Sequence, residues 1–219
     1  MGVYQNIETG FTQCHNGVEG AGGCPAKTAL SLPIGNGQFF TIQGATQATN
    51  ANVLWYQKLP PYPPVAGVSN FLLEYDLVVD SNEANVWARE RDFRVSNNGE
   101  DANFSCQLLR NANGYELDIS NESGGWVNTG MTVPFLSPSV MHRFQHIGYF
   151  DMEQNVYSYE LIVIDGIPYP IPSKLQQLKT THLGWPSGIY PQFQQDLDGA
   201  QNQNLGFSEL VMNMNLVTW

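Results

Sequence analysis

The sequence predicts an all-β protein, a single two-sheet antiparallel β-sandwich, and three observations predict it. Apolar residues recur with period two along one segment after another, while helix signals are nearly absent. Gly, Pro and Asn clusters punctuate the chain at intervals of roughly eight to twelve residues. With 219 residues, 42% hydrophobic and 12% aromatic, the chain can build one large core, and no repeat or linker divides it. We expect one domain over 1–219, with 1–37 a loop-rich N-terminal segment packed on it.

The elements follow in order. Gln38–Gln43 and Asn52–Gln57 read as two early strands, and Pro60, Pro61, Pro63 and Pro64 then break regular structure. Phe71–Val79 is the strongest strand. Its Phe71, Leu73, Tyr75, Leu77 and Val79 share one face, while Glu74 and Asp76 share the other. A turn at Asp80-Ser81-Asn82 leads into Asn85–Val95. Ala102–Leu109 and Tyr115–Ile119 are joined by a turn at Asn111-Ala112-Asn113-Gly114, and Trp126 follows a Gly-Gly turn. His142–Phe150, Tyr157–Ile164 and Pro168–Ile171 are three further strands, the last two joined through the hairpin signal Asp165-Gly166. Ser173–Lys179 reads as a single helical turn or a loop. Tyr190–Asp196 and Phe207–Val217 close the chain, and the last strand running to Trp219 speaks against a flexible tail.

Charge narrows the partners. The net charge of -11, with only 9 Lys and Arg, repels phosphate backbones, so nucleic acid is excluded as a partner. Anionic membranes and polyanionic glycans are disfavoured for the same reason, whereas neutral glycans and divalent cations are compatible. No apolar run approaches the roughly 18 residues of a membrane span. Met1–Asn6 has neither a basic nor an apolar leader region, so the chain is expected to be cytosolic or to have lost a leader. A charged fraction of only 13%, with Asn, Gln, Gly, Ser and Thr supplying polarity, points toward an extracellular or cell-surface β-protein.

Three cysteines are present. Cys14 and Cys24 flank a Gly-rich loop, and in an oxidising compartment they would close it as a disulfide. A metal site with His15 is the alternative, but two thiolates and one imidazole leave structural zinc a ligand short. Cys106, in a strand pattern, reads as a small core residue. His142 and His146 share a strand face without an evident third ligand for zinc. Neither a nucleophile elbow, a P-loop nor a dinucleotide fingerprint occurs.

The chemistry-bearing segment is Asn85–Val95. Glu90 and Asp92 point the same way along it, and a carboxylate row on a strand must be solvated, paired or used. Arg89 and Arg91 then fall on the opposite face, where they are expensive unless carboxylates pair with them across the sheet; the alternative is a bulge that shifts the faces. Glu74, Asp76, Glu90 and Asp92 together would make an oxygen-rich site for calcium. Asp196-Leu197-Asp198-Gly199 is either a second calcium loop or a plain turn. Trp87, Trp126, Trp185 and Tyr190 are candidate platforms for sugar rings, with Gln107, Gln194 and Asp196 as hydroxyl partners. Trp55 and Trp219 are assigned to packing.

Asn52–Leu59, Phe71–Leu77 with Ala88–Asp92, Cys106-Gln107 with Gly125–Gly130, and Phe193–Asp196 with the strand to Trp219 together resemble the concanavalin A-like lectin/glucanase superfamily, in particular secreted bacterial jelly-roll proteins. The resemblance implies a jelly roll of two curved antiparallel sheets. The chain departs from that group at Arg89 and Arg91, where apolar residues are usual. The Glu90 strand also resembles the acidic strand of family 16-type glycoside hydrolases, Glu-x-Asp-x-x-Glu or Glu-x-Asp-x-Glu. Arg94 and Val95 occupy the positions of the second Glu, so catalysis by Glu90 and Asp92 would need Glu74 or Asp76 from a neighbouring strand. The leading expectation is therefore a glycan-binding jelly roll. A glycoside hydrolase or polysaccharide lyase on the same face is the second, and a self-associating homo-oligomer or surface assembly the third; the architecture alone hosts all three.

Overall fold

The computed structural model describes residues 2–13, 29–42, 51–59, 68–80, 86–97, 100–121, 125–151, 156–173, 188–197 and 207–219. Fifteen strands run through these residues. They are β1 (Gly2–Tyr4), β2 (Thr12–Gln13), β3 (Ala29–Ile34), β4 (Gly37–Ile42), β5 (Ala51–Tyr56), β6 (Val68–Val79), β7 (Val86–Asn97) and β8 (Glu100–Asn111), then β9 (Gly114–Ser120), β10 (Trp126–Val133), β11 (Met141–Asp151), β12 (Val156–Ile164), β13 (Ile167–Pro170), β14 (Gly188–Leu197) and β15 (Phe207–Thr218). No helix among the described residues is long and apolar enough to cross a membrane.

The strands form two antiparallel sheets. One is eight-stranded, in the order β13-β12-β11-β6-β15-β4-β3, with β1 on the far end of β15; the other is seven-stranded, in the order β10-β9-β8-β7-β14-β5-β2. The N-terminal segment contributes strands to both sheets. β1 and β3 extend one sheet and β2 the other, because short edge strands need little alternation of their own when a long neighbour offers a free ladder. Residues 14–28, with Cys14 and Cys24, lie outside the described residues, as does Trp185.

Aromatic rings from both sheets fill the space between them. Phe71 on β6 meets Phe93 on β7 at 4.5 Å and Phe104 on β8 at 4.7 Å between centroids. Tyr75 meets Phe193 edge-on at 5.3 Å, and Phe40 meets Trp55 at 5.1 Å. This is the apolar face expected of Phe71–Val79. Gly148 on β11 sits where the β11–β12 register shifts; a Cβ there would fall 2.3 Å from the Ser158 carbonyl and 2.8 Å from the Phe71 ring. Asp165 and Gly166 adopt positive φ angles of 52° and 78°, the primed turn their sequence signals.

β7 is the central strand of its sheet, and its alternation divides two polar systems. Arg89 and Arg91 point into the sandwich. Both bond the same oxygen of Glu209, which β15 supplies from the opposite sheet: Arg89 Nε donates at 3.0 Å and Arg91 Nη2 at 2.7 Å. All three side chains are buried, and Arg91 also lies 4.8 Å over the Phe193 ring. β7 pairs β8 in unbroken register, its one irregularity against β14 falls between Val86 and Ala88, and no bulge displaces Glu90 or Asp92.

A second buried chain of polar groups runs beside it. The Tyr75 hydroxyl lies 3.1 Å from His146 Nε2, and Cys106 Sγ lies 3.6 Å from His146 Nδ1 and 3.6 Å from the Arg91 carbonyl. One proton arrangement satisfies all of them: Tyr75 donates to Nε2, Nδ1–H to sulfur, and the thiol to the carbonyl. Burial, reinforced by Arg91, pushes the imidazole down to about 3, so His146 is neutral. His142 turns instead to Asp165 Oδ2 at 2.7 Å and the Ser137 carbonyl at 3.1 Å. The two histidines share a face without converging on a metal.

Candidate functional site

The outer face of the seven-stranded sheet carries the candidate site. Alternation along β7 puts Glu90, Asp92 and Arg94 there, and the antiparallel register brings matching residues from its neighbours. Across the strands, Asn128, Asp118, Gln107, Glu90 and Gln194 are successive partners on β10, β9, β8, β7 and β14. Five strands at the usual spacing make this polar row about 19 Å long. One step along, Ser105, Asp92 and Gln192 pair in the same manner, and beyond them Asn103, Arg94 and Tyr190.

The row is hydrogen-bonded but incompletely. Gln107 Nε2 donates to Asp118 Oδ2 at 2.9 Å, Gln194 Nε2 to Asp196 Oδ1 at 3.2 Å, and Asn128 Nδ2 to Glu116 Oε2 at 2.9 Å. Arg94 Nε donates to Asn103 Oδ1 at 3.4 Å. Asp92 Oδ1, Asp118 Oδ1 and Gln192 Nε2 are buried without a partner. Unpaired buried polar atoms of this kind are costly and call for an explanation.

The carboxyls are packed closely enough to share protons. Burial raises Glu90 well above the usual range, and the negative charges of Asp92 and Asp196 raise it further. Glu90 and Asp196 hydrogen-bond each other, with Glu90 as the protonated partner. Burial lifts Asp196 to about 6 against that bond, and lifts Asp92 to about 7 against the Ser105 hydroxyl, Arg94 and Arg91. Acids displaced toward neutrality on one surface mark a functional-site candidate.

Trp126 lies at the edge of this face. It is 38% exposed on β10, opposite Ser120 and next to the Asn128 end of the row. Of the expected ring platforms it alone stands on this face with an open ring among the described residues. Trp87 is as exposed but begins β7 away from the row, whereas Tyr190 is fully buried beneath Lys58, whose Nζ lies 5.8 Å from its ring. Tyr190 is therefore a packing residue rather than a platform. Glu90, Asp92, Gln107, Gln194 and Asp196 are brought together as the alternation implied. Asp196 lies within β14 with its carboxyl on the site face, and Asp198 and Gly199, the Asp-Gly part of the calcium-loop-or-turn reading, are outside the described residues.

Glu74 and Asp76 do not join them. They lie on the outer face of the other sheet, where Arg143 bonds Glu74 at 2.8 Å and Asp76 at 2.9 Å. They supply neither a second catalytic carboxyl nor a calcium ligand to the Glu90 strand, because the whole sandwich stands between. No cluster of three or more metal-ligating side chains occurs among the described residues. Asp118, Gln192 and Asn128 were not singled out from sequence. The first two were legible by the i, i+2 rule along Tyr115–Ile119 and Tyr190–Asp196, but Asn128 required a strand that its Gly130 obscured.

No protein-family model matches the chain, and no curated protein matches it. Solved structures do. An alginate lyase, Aly36B, in complex with an alginate tetrasaccharide is similar with a TM-score of 0.54 over 85% of this chain and 82% of its own, at 10% identity. Aly36B alone gives a TM-score of 0.53 over 91% of this chain and 92% of its own, also at 10% identity. Identity that low carries the architecture and nothing about the residues. With the two antiparallel sheets and their order, it establishes that this chain has a jelly-roll β-sandwich fold.

Proposed function

We propose that this protein binds carbohydrate along the outer face of its seven-stranded sheet, as an extracellular lectin-like module. The observation that carries this reading is the row Asn128-Asp118-Gln107-Glu90-Gln194, five planar amide or carboxyl groups in register, with the exposed Trp126 ring at its end. Sugars offer hydroxyls around their rim and C–H groups on their faces. Planar polar side chains match the first and an open indole matches the second. Aly36B, with the same fold, is known in complex with an oligosaccharide, which supports this class of ligand.

Titration of a panel of oligosaccharides by calorimetry tests the reading. Saturable binding is expected, retained in Glu90→Gln and reduced at least about tenfold in Trp126→Ala, the scale on which a stacked ring contributes. Absence of binding across the panel, or full retention in Trp126→Ala, refutes it.

One observation favours a second reading, acid–base chemistry on the same face. Glu90 is held as an acid beside the ionisable Asp196. Retaining glycosidases need their two carboxyls about 5 Å apart across the scissile bond. Two carboxyls joined by a hydrogen bond are closer than that, so this pair does not straddle a glycosidic oxygen. A lyase, which removes a proton beside a uronate carboxyl and expels the glycosidic oxygen, needs no such spacing. The absorbance of an unsaturated product, lost in Glu90→Gln, distinguishes this reading from binding alone.

A further inference from the structure

The outer face of the eight-stranded sheet carries an apolar row that faces solvent. Val3 on β1, Val217 on β15, Leu72 on β6, Ile147 on β11, Leu161 on β12 and Pro170 on β13 are successive cross-strand partners. They point away from the core, since the adjacent residue on each strand, such as Leu73 or Leu216, is the buried one. None of the six is buried, and Val3 is 54% exposed. An antiparallel sheet with one face in water alternates apolar inside with polar outside. Six strands abandon that rule at the same level. Beside the row, Trp219, Asn70 and Tyr149 lie in line, with Trp219 and Asn70 joined through their main chains and the Trp219 ring 51% exposed. A contiguous apolar patch of this kind marks an interaction surface.

Three observations identify a second copy of the chain as the partner. The first is charge. Arg143 bonds Glu74 at 2.8 Å and Asp76 at 2.9 Å on this face, so one cation offsets two carboxylates there. A chain of net charge -11 meets the least repulsion from its own copy across such a surface. The second is area. Six strands span about 24 Å, and the eleven residues of β11 about 36 Å, so the face offers up to about 850 Å². A standard interface buries about 800 Å² on each partner. The third is the edge. β13 ends the sheet, and its Pro168 and Pro170 have no N–H to offer, so strand-to-strand extension at that edge is blocked while the face stays open. A row that crosses all six strands also matches itself. A copy turned over sets the same row against it, as an isologous two-fold contact requires.

We propose that two copies stack these outer faces in a two-fold dimer, packed as sheets pack within a sandwich, with the apolar row at its centre. The two seven-stranded sheets then face outward in opposite directions, and the candidate carbohydrate face of each copy is left uncovered. The dimer does not depend on what that face binds.

Sedimentation equilibrium of the full chain tests this. A dimer is expected at about 100 µM, since interfaces of this size hold at micromolar concentrations or tighter. Raising NaCl from about 0.05 M to about 0.5 M is expected to tighten it, because salt screens the two net negative charges. Ile147→Lys is expected to weaken it at least about tenfold. Ile147→Thr combined with Val217→Thr keeps strand-forming residues while removing apolar surface, and is expected to weaken it in the same direction should the lysine variant fail to fold. A monomer at about 100 µM in the high-salt buffer overturns the proposal. A dimer that survives these substitutions unchanged overturns it too. A monomer that instead cosediments with phosphatidylcholine vesicles, and no longer does so as Ile147→Lys, assigns the row to a lipid surface and overturns the second copy.

Discussion

Removing Glu209 tests whether the sandwich depends on a single buried anion. Arg89 and Arg91 enter the core from the same strand, and both bond Glu209 Oε2; Arg89 and Glu209 side chains are 0% exposed and Arg91 is 4% exposed. In Glu209→Ala neither guanidinium can reach water without unpacking β7 from Phe193 and Phe71. Breaking one buried pair costs about 3–5 kcal/mol. The two bonds share one oxygen and are not additive, so the expected loss is near the upper end, about 5 kcal/mol. Whole domains have about 5–15 kcal/mol of stability, and each kcal/mol moves the melting temperature of a chain this size by about 2–4 °C. A fall of about 10–20 °C is expected by calorimetry, with a matching loss in urea. A loss under about 1 kcal/mol would place the triad with surface pairs and refute the argument. Replacing all three together, Arg89→Met with Arg91→Met and Glu209→Leu, is expected to be neutral or stabilising, since no uncompensated charge is then left inside.

Other consequences are as direct. Asp92 keeps its proton up to about pH 7 when folded but only to about 3.8 when unfolded, so the native state holds the extra proton between these values and Asp92 lowers stability as pH rises through them. Asp92→Asn is thus expected to stabilise by on the order of a few kcal/mol in urea melts at pH 8 and to change little near pH 4; an equal effect at both pH values would contradict the assignment. Gly148→Ala drives a methyl against the Ser158 carbonyl and the Phe71 ring and is expected to cost about 1–3 kcal/mol, whereas Gly166→Asn in the open turn costs far less. Tyr75→Phe strands His146 Nε2 in the core, and a cost of about 1–3 kcal/mol is expected in equilibrium unfolding; a cost near zero would mean the ring nitrogen never accepted from the hydroxyl.

Much of this architecture was legible because period two is a direct statement about faces. Phe71–Val79 and Arg89–Val95 declare their inner and outer residues without any partner being known, and the structure keeps each assignment. What the alternation does not encode is which strand lies opposite. Glu209 sits 118 residues beyond Arg91, and nothing local distinguishes it from a solvated acid. The same blindness placed Glu74 and Asp76 beside Glu90, when sheet order puts them on the far side of the sandwich. β10 was missed for a different reason. Gly130 has a φ of 82° and the β9–β10 register shifts between Asn128 and Thr132, so the alternation is interrupted where a strand is still hydrogen-bonded. Edge strand β3 carries Pro33, which an edge tolerates.

The two polar systems on β7 are solved in opposite ways, and the contrast locates the site. Inside, two guanidiniums cannot discard their charge, since arginine keeps its proton at any physiological pH, so a carboxylate must come to them from the other sheet. Outside, carboxyls can discard theirs. Glu90 does so by protonation against Asp196, and Asp92 is drawn toward the same end by burial, held back by Ser105 and Arg94. Where a protein only needs stability, apolar residues on that outer face would cost less than four crowded acids. Both systems leave buried atoms without a partner, Arg91 Nε and Glu209 Oε1 inside, Asp92 Oδ1, Asp118 Oδ1 and Gln192 Nε2 outside, so what sets the outer face apart is its crowding of acids displaced toward neutrality on a face edged by an open tryptophan.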